Sequence, residues 1–531
     1  MIIDNIKNKS KKIWSYSILS FGTALLDLFI LILTVYILCH ILPEKPSVGY
    51  IILFVSLLII SYFTFIFNNK KFVKIAESIV SETRIVIIEL IRKCELKSFE
   101  KIEKIGAYNV ITLDTQIIAD SIIKALKLFI FVSMYIGILI YFFITSRTAF
   151  YFTLSIVVFG GFFYSLFINK SKKLIHEARQ AEKELFGATK DIIEGFKEIK
   201  TNDQKSDDLY HQCLKVKSAE NRKLRVKAEY LLIESNVFTT LIEFAIFIPI
   251  VFILPVFNWI SNEELIACVS LILFMPFGLI KDVIPNFVRS VASIERLLEF
   301  ENELIQLKKE KNCVVKKNNQ SYSEITFNNI CFYYTDKKGE PIFGLKNVSC
   351  SFHPGEIVFI IGGNGSGKST FLKVLTGLYF PFSGNITING APAKIEEQRN
   401  LFSAIFSDFH LFDRFYESKN DINQEKVDDL LKLMDLDHKV SFENNRFSTI
   451  DLSTGQRKRL AMIVSIMEDK PIYVFDEWAA DQSPRFREYF YCQLLPSLKQ
   501  KGKTVIAVTH DNQYFDIADR ILELDYGSLR F

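Results

Sequence analysis

Six apolar stretches in the first 300 residues constrain this 531-residue chain more than any other feature. They run over 13–42, 48–67, 122–145, 149–168, 236–259 and 265–281, each close to the roughly 20 residues that cross a hydrocarbon core as a helix. Lys7, Lys9, Lys11 and Lys12 precede the first run as they would in a secretory leader. That run is too long for a leader, no small-residue cleavage site follows it, and a second span comes soon after. It reads as a retained first helix.

The loops set the expected orientation. With the N-terminus inside, segments 1–12, 68–121 and 169–235 carry 28 Lys and Arg, whereas the outer loops 43–47, 146–148 and 260–264 carry only Lys45 and Arg147. Positive charge stays on the cytoplasmic side, so both chain ends are expected there. The outer loops are very short, and the two long inner connections show helical periodicity with mixed charge, as in Lys170-Ser-Lys-Lys-Leu-Ile-His-Glu-Ala-Arg-Gln. Neither connection could bury much of a core alone, so they read as helical extensions of the spans. Asp27 and Glu243 lie within apolar runs. Intramembrane acids are costly; these two either line a polar path or sit near the cytoplasmic end, in a wet vestibule or paired with Lys124 or Lys127. Pro249, Pro255 and Pro276 free backbone groups in the last two spans.

A net charge of +4, from 64 Lys and Arg against 60 Asp and Glu, gives no bias toward nucleic acid, and no such partner is expected. The eight cysteines form no CxxC pair, which argues against a metal cluster and a disulfide framework. Residues 1–300 are thus read as a membrane domain, the polar run 301–322 as a linker, and 323–531 as a second domain. In that domain the β-rich runs ITFNNICFYY, EIVFIIG, KPIYVFDE and KTVIAVTH alternate with helical ones, the pattern of an α/β fold with a largely parallel sheet.

Four motifs carry its chemistry. Gly362-Gly-Asn-Gly-Ser-Gly-Lys-Ser369 matches GxxxxGK(S/T) between an apolar strand and a helix, so its backbone N–H groups can turn around phosphate oxygens. Lys368 would reach the β- and γ-phosphates, and the Ser369 hydroxyl would ligate Mg²⁺. Pro471-Ile-Tyr-Val-Phe-Asp476-Glu477 is a buried strand ending in two acids. Asp476 is placed to hold Mg²⁺ through water, and Glu477 to polarise the attacking water. In Leu452-Ser-Thr-Gly-Gln456, Ser453 and Gly455 open a helix toward a potential anion. His510, at the end of the strand 505–509, can meet a γ-phosphate.

In this order the motifs resemble the ATP-binding cassette superfamily, and six spans fused to one cassette resemble a half-size exporter over essentially the whole chain. The resemblance implies a six-span helical transmembrane domain with long cytoplasmic extensions (type IV exporter-like), fused to an α/β P-loop nucleotide-binding domain. It implies ATP and Mg²⁺ as cofactors. Nucleotide contacts would come from Tyr334 (stacked on adenine), Gly362, Gly363, Asn364, Gly365, Ser366, Gly367, Lys368, Ser369 and Thr370. Mg²⁺ would be held by Ser369 and Asp476, with Glu477 as catalytic base and His510 beside it. Ser453, Gly455, Gln456 and Asp481 would belong to the nucleotide site as well. Ser453 and Gly455 face nucleotide on the opposite cassette, which implies a homodimer with two composite sites and twelve spans. Phe406-Ser407-Asp408 departs from the pattern, because most cassettes place a glutamine there. Ser407 is too short to reach the metal except through water, and Asp408 is the other candidate ligand.

Asp476-Glu-Trp-Ala-Ala-Asp-Gln, with Gly195-Phe-Lys-Glu-Ile-Lys200 in the second extension, is similar to the cyclic-peptide exporters, a group like those serving peptide siderophores and lipopeptides. The expectation is therefore ATP-driven export of a peptide-like molecule across a bacterial inner membrane by alternating access. A broad lipid or multidrug exporter is the alternative. An ATP-gated channel or regulator is disfavoured by the intact Lys368, Asp476, Glu477 and His510.

Overall fold

The computed structural model describes residues 2–37, 48–102, 104–273, 278–307, 322–336, 338, 340–416 and 422–530. It divides into two units, Met1–Arg92 with Ile102–Leu307, and Lys93–Lys101 with Lys308–Phe531. Most of the stretch 301–322 lies outside the described residues, as do 274–277 of the sixth apolar run.

In its described residues the first unit is built from helices and the short turns between them. Its early helices are α1 (Ile2–Tyr36), α2 (Val48–Arg92), α4 (Lys104–Asn109), α5 (Thr115–Thr145) and α6 (Arg147–Glu194); α3 (Leu96–Phe99) belongs to the second unit. After them come the short α7 (Phe196–Lys200) and α8 (Asp203–Asp208), then α9 (Lys215–Ile248), α10 (Leu254–Val256), α11 (Asn262–Leu273) and α12 (Gly278–Gln306). Among the described residues four helical stretches are long and apolar enough to cross a membrane: Val48–Arg92, Gly106–Thr145, Arg147–Glu194 and Asp203–Val256; Ser20–Tyr36 is a shorter apolar one. At 1.5 Å per residue the 48-residue α6 is about 72 Å long, more than twice a hydrocarbon core. Much of the connections 68–121 and 169–235 therefore continues the apolar helices, as their periodicity predicts, with interruptions at 93–101 and around Gly195–Asn202. Ser146 alone separates α5 from α6, its N–H donating to Phe142 O at 2.8 Å. At Pro249, which has no N–H to offer, α9 widens into a π-helical turn over Pro249–Ile253.

Lipid supplies no hydrophobic drive between helices, so close packing depends on small residues and polar pairs. Side chains such as Ile59, Phe63, Phe159 and Phe162 remain exposed, as a face against hydrocarbon requires, while Ala24, Ile138, Phe142, Ile246 and Leu271 are buried between helices. A Cβ on Gly137 would lie 2.3 Å from Leu28 Cδ2, and one on Gly160 2.6 Å from Ile242 Cδ1. Polar pairs join α1 to α2: Ser61 Oγ donates to Asp27 Oδ1 at 2.6 Å, and Asn68 Nδ2 to Thr23 Oγ1 at 3.3 Å. Below the apolar runs, buried Asp114 takes the Arg296 guanidinium of α12, and Arg84 of α2 donates to Ile111 O and Thr115 Oγ1. Three helices are thereby tied at one point.

The second unit is built on two main sheets. Its elements are β1 (Ile325–Thr335), β2 (Pro341–Phe352), β3 (Ile357–Ile361), α13 (Lys368–Leu375), β4 (Ser383–Ile388), β5 (Ala391–Pro392), α14 (Ile395–Asn400) and β6 (Phe402–Ile405). Next are α15 (Gln424–Leu433), β7 (Phe442–Glu443), β8 (Arg446–Phe447), α16 (Thr454–Glu468) and β9 (Ile472–Asp476). The chain closes with α17 (Pro484–Tyr489), α18 (Leu495–Gln500), β10 (Thr504–Val508), β11 (Arg520–Asp525) and β12 (Ser528–Arg530). One sheet has the order β12-β11-β3-β10-β9-β6 and is parallel except for β12; the other, β2-β1-β4-β5, is antiparallel. Strands covered on both faces read as unbroken apolar runs, which is why β9 and β10 are wholly buried. Phe327, Phe352, Val358, Ile360 and Phe371 fill the space between the sheets, and Phe359, Phe475, Tyr491 and Leu495 pack the opposite face of the parallel one. Leu96, from the segment 93–101, packs against the first of these cores.

Gly137→Leu forces a side chain into the space of Leu28, and overpacking of this kind costs about 1–3 kcal/mol. The variant should melt several degrees below wild type in detergent. Gly161→Leu, at a position with open space around its Cβ, should melt like wild type.

Candidate nucleotide site

Three parallel strands deliver the reacting groups to one edge. β3 ends at Ile361, and the chain turns through Gly362–Gly367 into α13, which starts at Lys368. Two glycines make the turn possible. Gly362 has φ +148° and a Cβ there would sit 2.2 Å from Leu524 O; Gly367, at φ +106°, caps α13 in the left-handed region. Lys368 is buried, and its ammonium donates to Gly362 O at 2.8 Å and Gly363 O at 2.9 Å, so the charge is held inside the loop. Thr370 lies in the first turn of α13, and its hydroxyl is 3.4 Å from that of Tyr334 on β1. The Tyr334 ring is thereby set beside the loop, edge-on to Phe332 and Tyr379.

At the end of β9 Asp476 is 2% exposed. Ser369 Oγ donates to its Oδ2 at 3.2 Å and Ser407 Oγ at 3.3 Å. Burial raises its pKa above the ordinary carboxylate value, the two serines pull it back, and neighbouring Glu477 adds to the rise. The fold therefore concentrates hard oxygen donors around a desolvated carboxylate, the set that suits Mg²⁺. The Ser366 hydroxyl, buried in the loop without a hydrogen-bond partner, is a second group that a phosphate ligand would satisfy. The residues present fit both groups. Of the two candidates in the departing segment, both of them exposed, Ser407 reaches Asp476 through its hydroxyl.

Glu477 follows in the left-handed region at φ +51°, its N–H donating to Val508 O at 3.3 Å. His510 lies just beyond β10, and its Nε2 is 3.5 Å from Glu477 Oε1, with both side chains half exposed. Acid and imidazole thus meet across adjacent strands.

The signature residues form a separate cluster. Ser453 caps α16 in a capping box with Gln456, whose Oε1 accepts from Ser453 N at 3.2 Å. Gly455 admits no larger residue, because a Cβ would lie 2.6 Å from Asp481 O. Ser453, Gly455, Gln456, Arg459, Asp481 and Phe486 line an open cleft. The structure brings Lys368, Ser369, Ser407 and Asp476 to one centre with Glu477 and His510 beside it, and gathers Ser453, Gly455, Gln456 and Asp481 at another. Sequence reasoning passed over Lys458, which joins the second cluster to Glu477: it was visible only as one of three successive basic residues after the signature.

Residues 345–480 match the family model for the ABC transporter domain. Over 83% of its length the chain is 32% identical to the ATP-binding protein SyrD of Pseudomonas syringae pv. syringae, covering 81% of that protein. It is 29% identical to an ATP-dependent lipid A-core flippase of Haemophilus ducreyi over 48% of this chain and 45% of the flippase. A solved structure of a bacterial Atm1-family ABC exporter with ATP bound shares the fold with a TM-score of 0.77 at 17% identity, over 99% of this chain and 95% of that one. With its P-loop cassette fused to apolar helices in the same order, this chain belongs to the ABC transporters, as an ATPase coupled to transport through an exporter-type fold.

Proposed function

We propose that two copies of this chain form a bacterial inner-membrane exporter that moves a peptide-like molecule at the expense of ATP. The observation that carries this reading is the convergence of Lys368, Ser369, Asp476, Glu477 and His510 on one sheet edge, in a chain that also holds apolar spanning helices. Tyr334 stacks on adenine. The P-loop amides from Gly362 to Thr370 and the Lys368 ammonium bind the phosphates. Ser369 and Asp476 would hold Mg²⁺, with Ser407 bonded to Asp476, and the ion would supply charge neutralisation to the phosphates. Glu477 accepts a proton from the water whose oxygen attacks the γ-phosphorus as the bond to ADP breaks, and His510 contacts the γ-phosphate. Ser453, Gly455, Gln456 and Asp481 lie in their own cleft, which supports the role the family resemblance gives Ser453 and Gly455, contact with nucleotide held by the second copy. ATP bound between two cassettes favours the closed pair over the open one by mass action, and hydrolysis resets it. The excess of Lys and Arg in segments 1–12, 68–121 and 169–235 supports a cytoplasmic position for both chain ends.

A cyclic peptide, lipopeptide or peptide siderophore is the favoured cargo, on the Asp476–Gln482 and Gly195–Lys200 sequences. Peptide amides cross hydrocarbon poorly because each unsatisfied group costs several kcal/mol. Lipid export is the second reading, favoured by the likeness to the flippase.

In reconstituted vesicles Glu477→Gln should bind ATP like wild type and lose turnover by about 100-fold or more. Undiminished ATPase activity would remove Glu477 from its role. ATP-dependent accumulation of a labelled cyclic lipopeptide in inside-out vesicles supports the peptide reading, whereas transfer of a fluorescent phospholipid between leaflets without peptide uptake supports the lipid one. Asp476→Asn separates the site's electrostatics from its catalysis. With a raised pKa the ionised carboxylate opposes folding at neutral pH; the penalty fades as pH falls through that raised value and is gone below the ordinary one. In Mg²⁺-free buffer the variant should melt above wild type at pH 7.5, with the gap narrowing as the pH is lowered, and its ATPase should be lost.

A further inference from the structure

Lys458 is the second residue after the signature, and its side chain is 4% exposed. Burying an ammonium costs free energy unless it is fully paired, so its acceptors need an explanation. Its Nζ donates to Glu477 O at 2.7 Å and lies 2.7 Å from Asp481 Oδ2. The bonding is reciprocal: the Trp478 indole N–H donates to Lys458 O at 2.9 Å, and Gln482 Nε2 donates to Gly455 O at 3.1 Å. Trp478 is itself buried and stacked on Phe490 with ring centroids 4.6 Å apart. Glu477, Trp478, Asp481 and Gln482 are thus all fastened to the first turns of α16.

The backbone these bonds hold is strained. Glu477 has φ +51° and ψ 39°, a region a side chain with a Cβ seldom occupies and which persists only where neighbours enforce it. Glu477 N–H bonds to Val508 O on one side and Glu477 O bonds to Lys458 on the other. This conformation sets the direction in which the Glu477 carboxylate leaves the strand end, toward His510.

We propose that Lys458 is a positioning residue for ATP hydrolysis: its buried ammonium locks the Glu477 main chain so that the carboxylate stands beside His510, and ties that geometry to the signature helix. The proposal rests on Glu477 being the acid of the reaction. A shift of α16 when Ser453 and Gly455 engage nucleotide then reaches Glu477 through one side chain. Because the signature serves the second copy's nucleotide, Lys458 links one site's occupancy to the other site's acid.

The test is steady-state ATPase of the full-length protein in lipid nanodiscs, with ATP varied. Lys458→Met removes both bonds at similar length, and kcat should fall at least about tenfold while the KM for ATP changes by less than about threefold. Lys458→Gln, whose amide can still donate to Glu477 O, should recover kcat to within about threefold of wild type. Wild-type kcat in Lys458→Met, loss of kcat matched by an equal rise in KM, or a glutamine variant no better than methionine would each overturn the proposal. If Lys458→Met does not fold, Lys458→Asn, too short to reach Glu477 O, replaces it in the comparison with glutamine. Failure of all three to fold would assign Lys458 to stability alone and overturn the proposal too. Glu477→Gln measured in parallel separates the two readings. Should it stay active, the role of Glu477 fails; should it be dead while Lys458→Met is fully active, only the role of Lys458 fails.

Discussion

β10 is hydrogen-bonded to β3 on one side and to β9 on the other, with Val508 opposite both Ile360 and Asp476. That register brings the P-loop, the acid pair and His510 to the same level at one edge of the sheet. A slip of one residue in either ladder would turn each side chain to the other face and separate Glu477 from His510. Register is secured by burial, since β9 and β10 are covered on both faces and the flanking cores interlock through Phe359, Phe475, Val358 and Ile360. The packed interior and the reacting edge are therefore one arrangement seen from two sides.

The membrane unit obeys a different economy. Its helices are apolar on lipid-facing and buried surfaces alike, so hydrophobicity cannot decide which faces meet. Contact is instead specified by the places where a side chain is missing, as at Gly137 and Gly160, and by polar groups that find each other, as Asp27 does with Ser61. Beyond the apolar runs, the ion pair between Asp114 and Arg296 takes over that role.

Much of this was legible in the sequence, for identifiable reasons. Strands such as Ile357–Ile361 and Ile472–Asp476 stand out because strands buried on both faces have no polar positions. The P-loop and the Asp476–Glu477 pair are contiguous, so their geometry follows from a few adjacent residues. The second sheet was less visible, because β2, β4 and β5 carry mixed patterns suited to a strand with a wet face. Ser407 looked too short for its position, and the distance that matters, to Asp476, is set by the pairing of β6 with β9. Lys458 was hidden for a similar reason. Between Arg457 and Arg459 it has the look of a solvated charge, and only the fold of the turn after β9 shows what it holds.

The segment 93–101 belongs to the second unit although it is encoded in the middle of the first. Lys97 Nζ donates to Tyr333 O at 2.6 Å and lies 4.6 Å from the centre of the Phe332 ring, while Glu100 accepts from the Tyr379 hydroxyl and the Lys373 amine. Neither half of the molecule is accordingly a contiguous length of polypeptide. A severed fragment starting near residue 322 would keep all four nucleotide motifs yet leave Tyr379 and Lys373 to water and the seat of Leu96 bare. Biochemistry on such a fragment would report on a Tyr334 neighbourhood stripped of one wall.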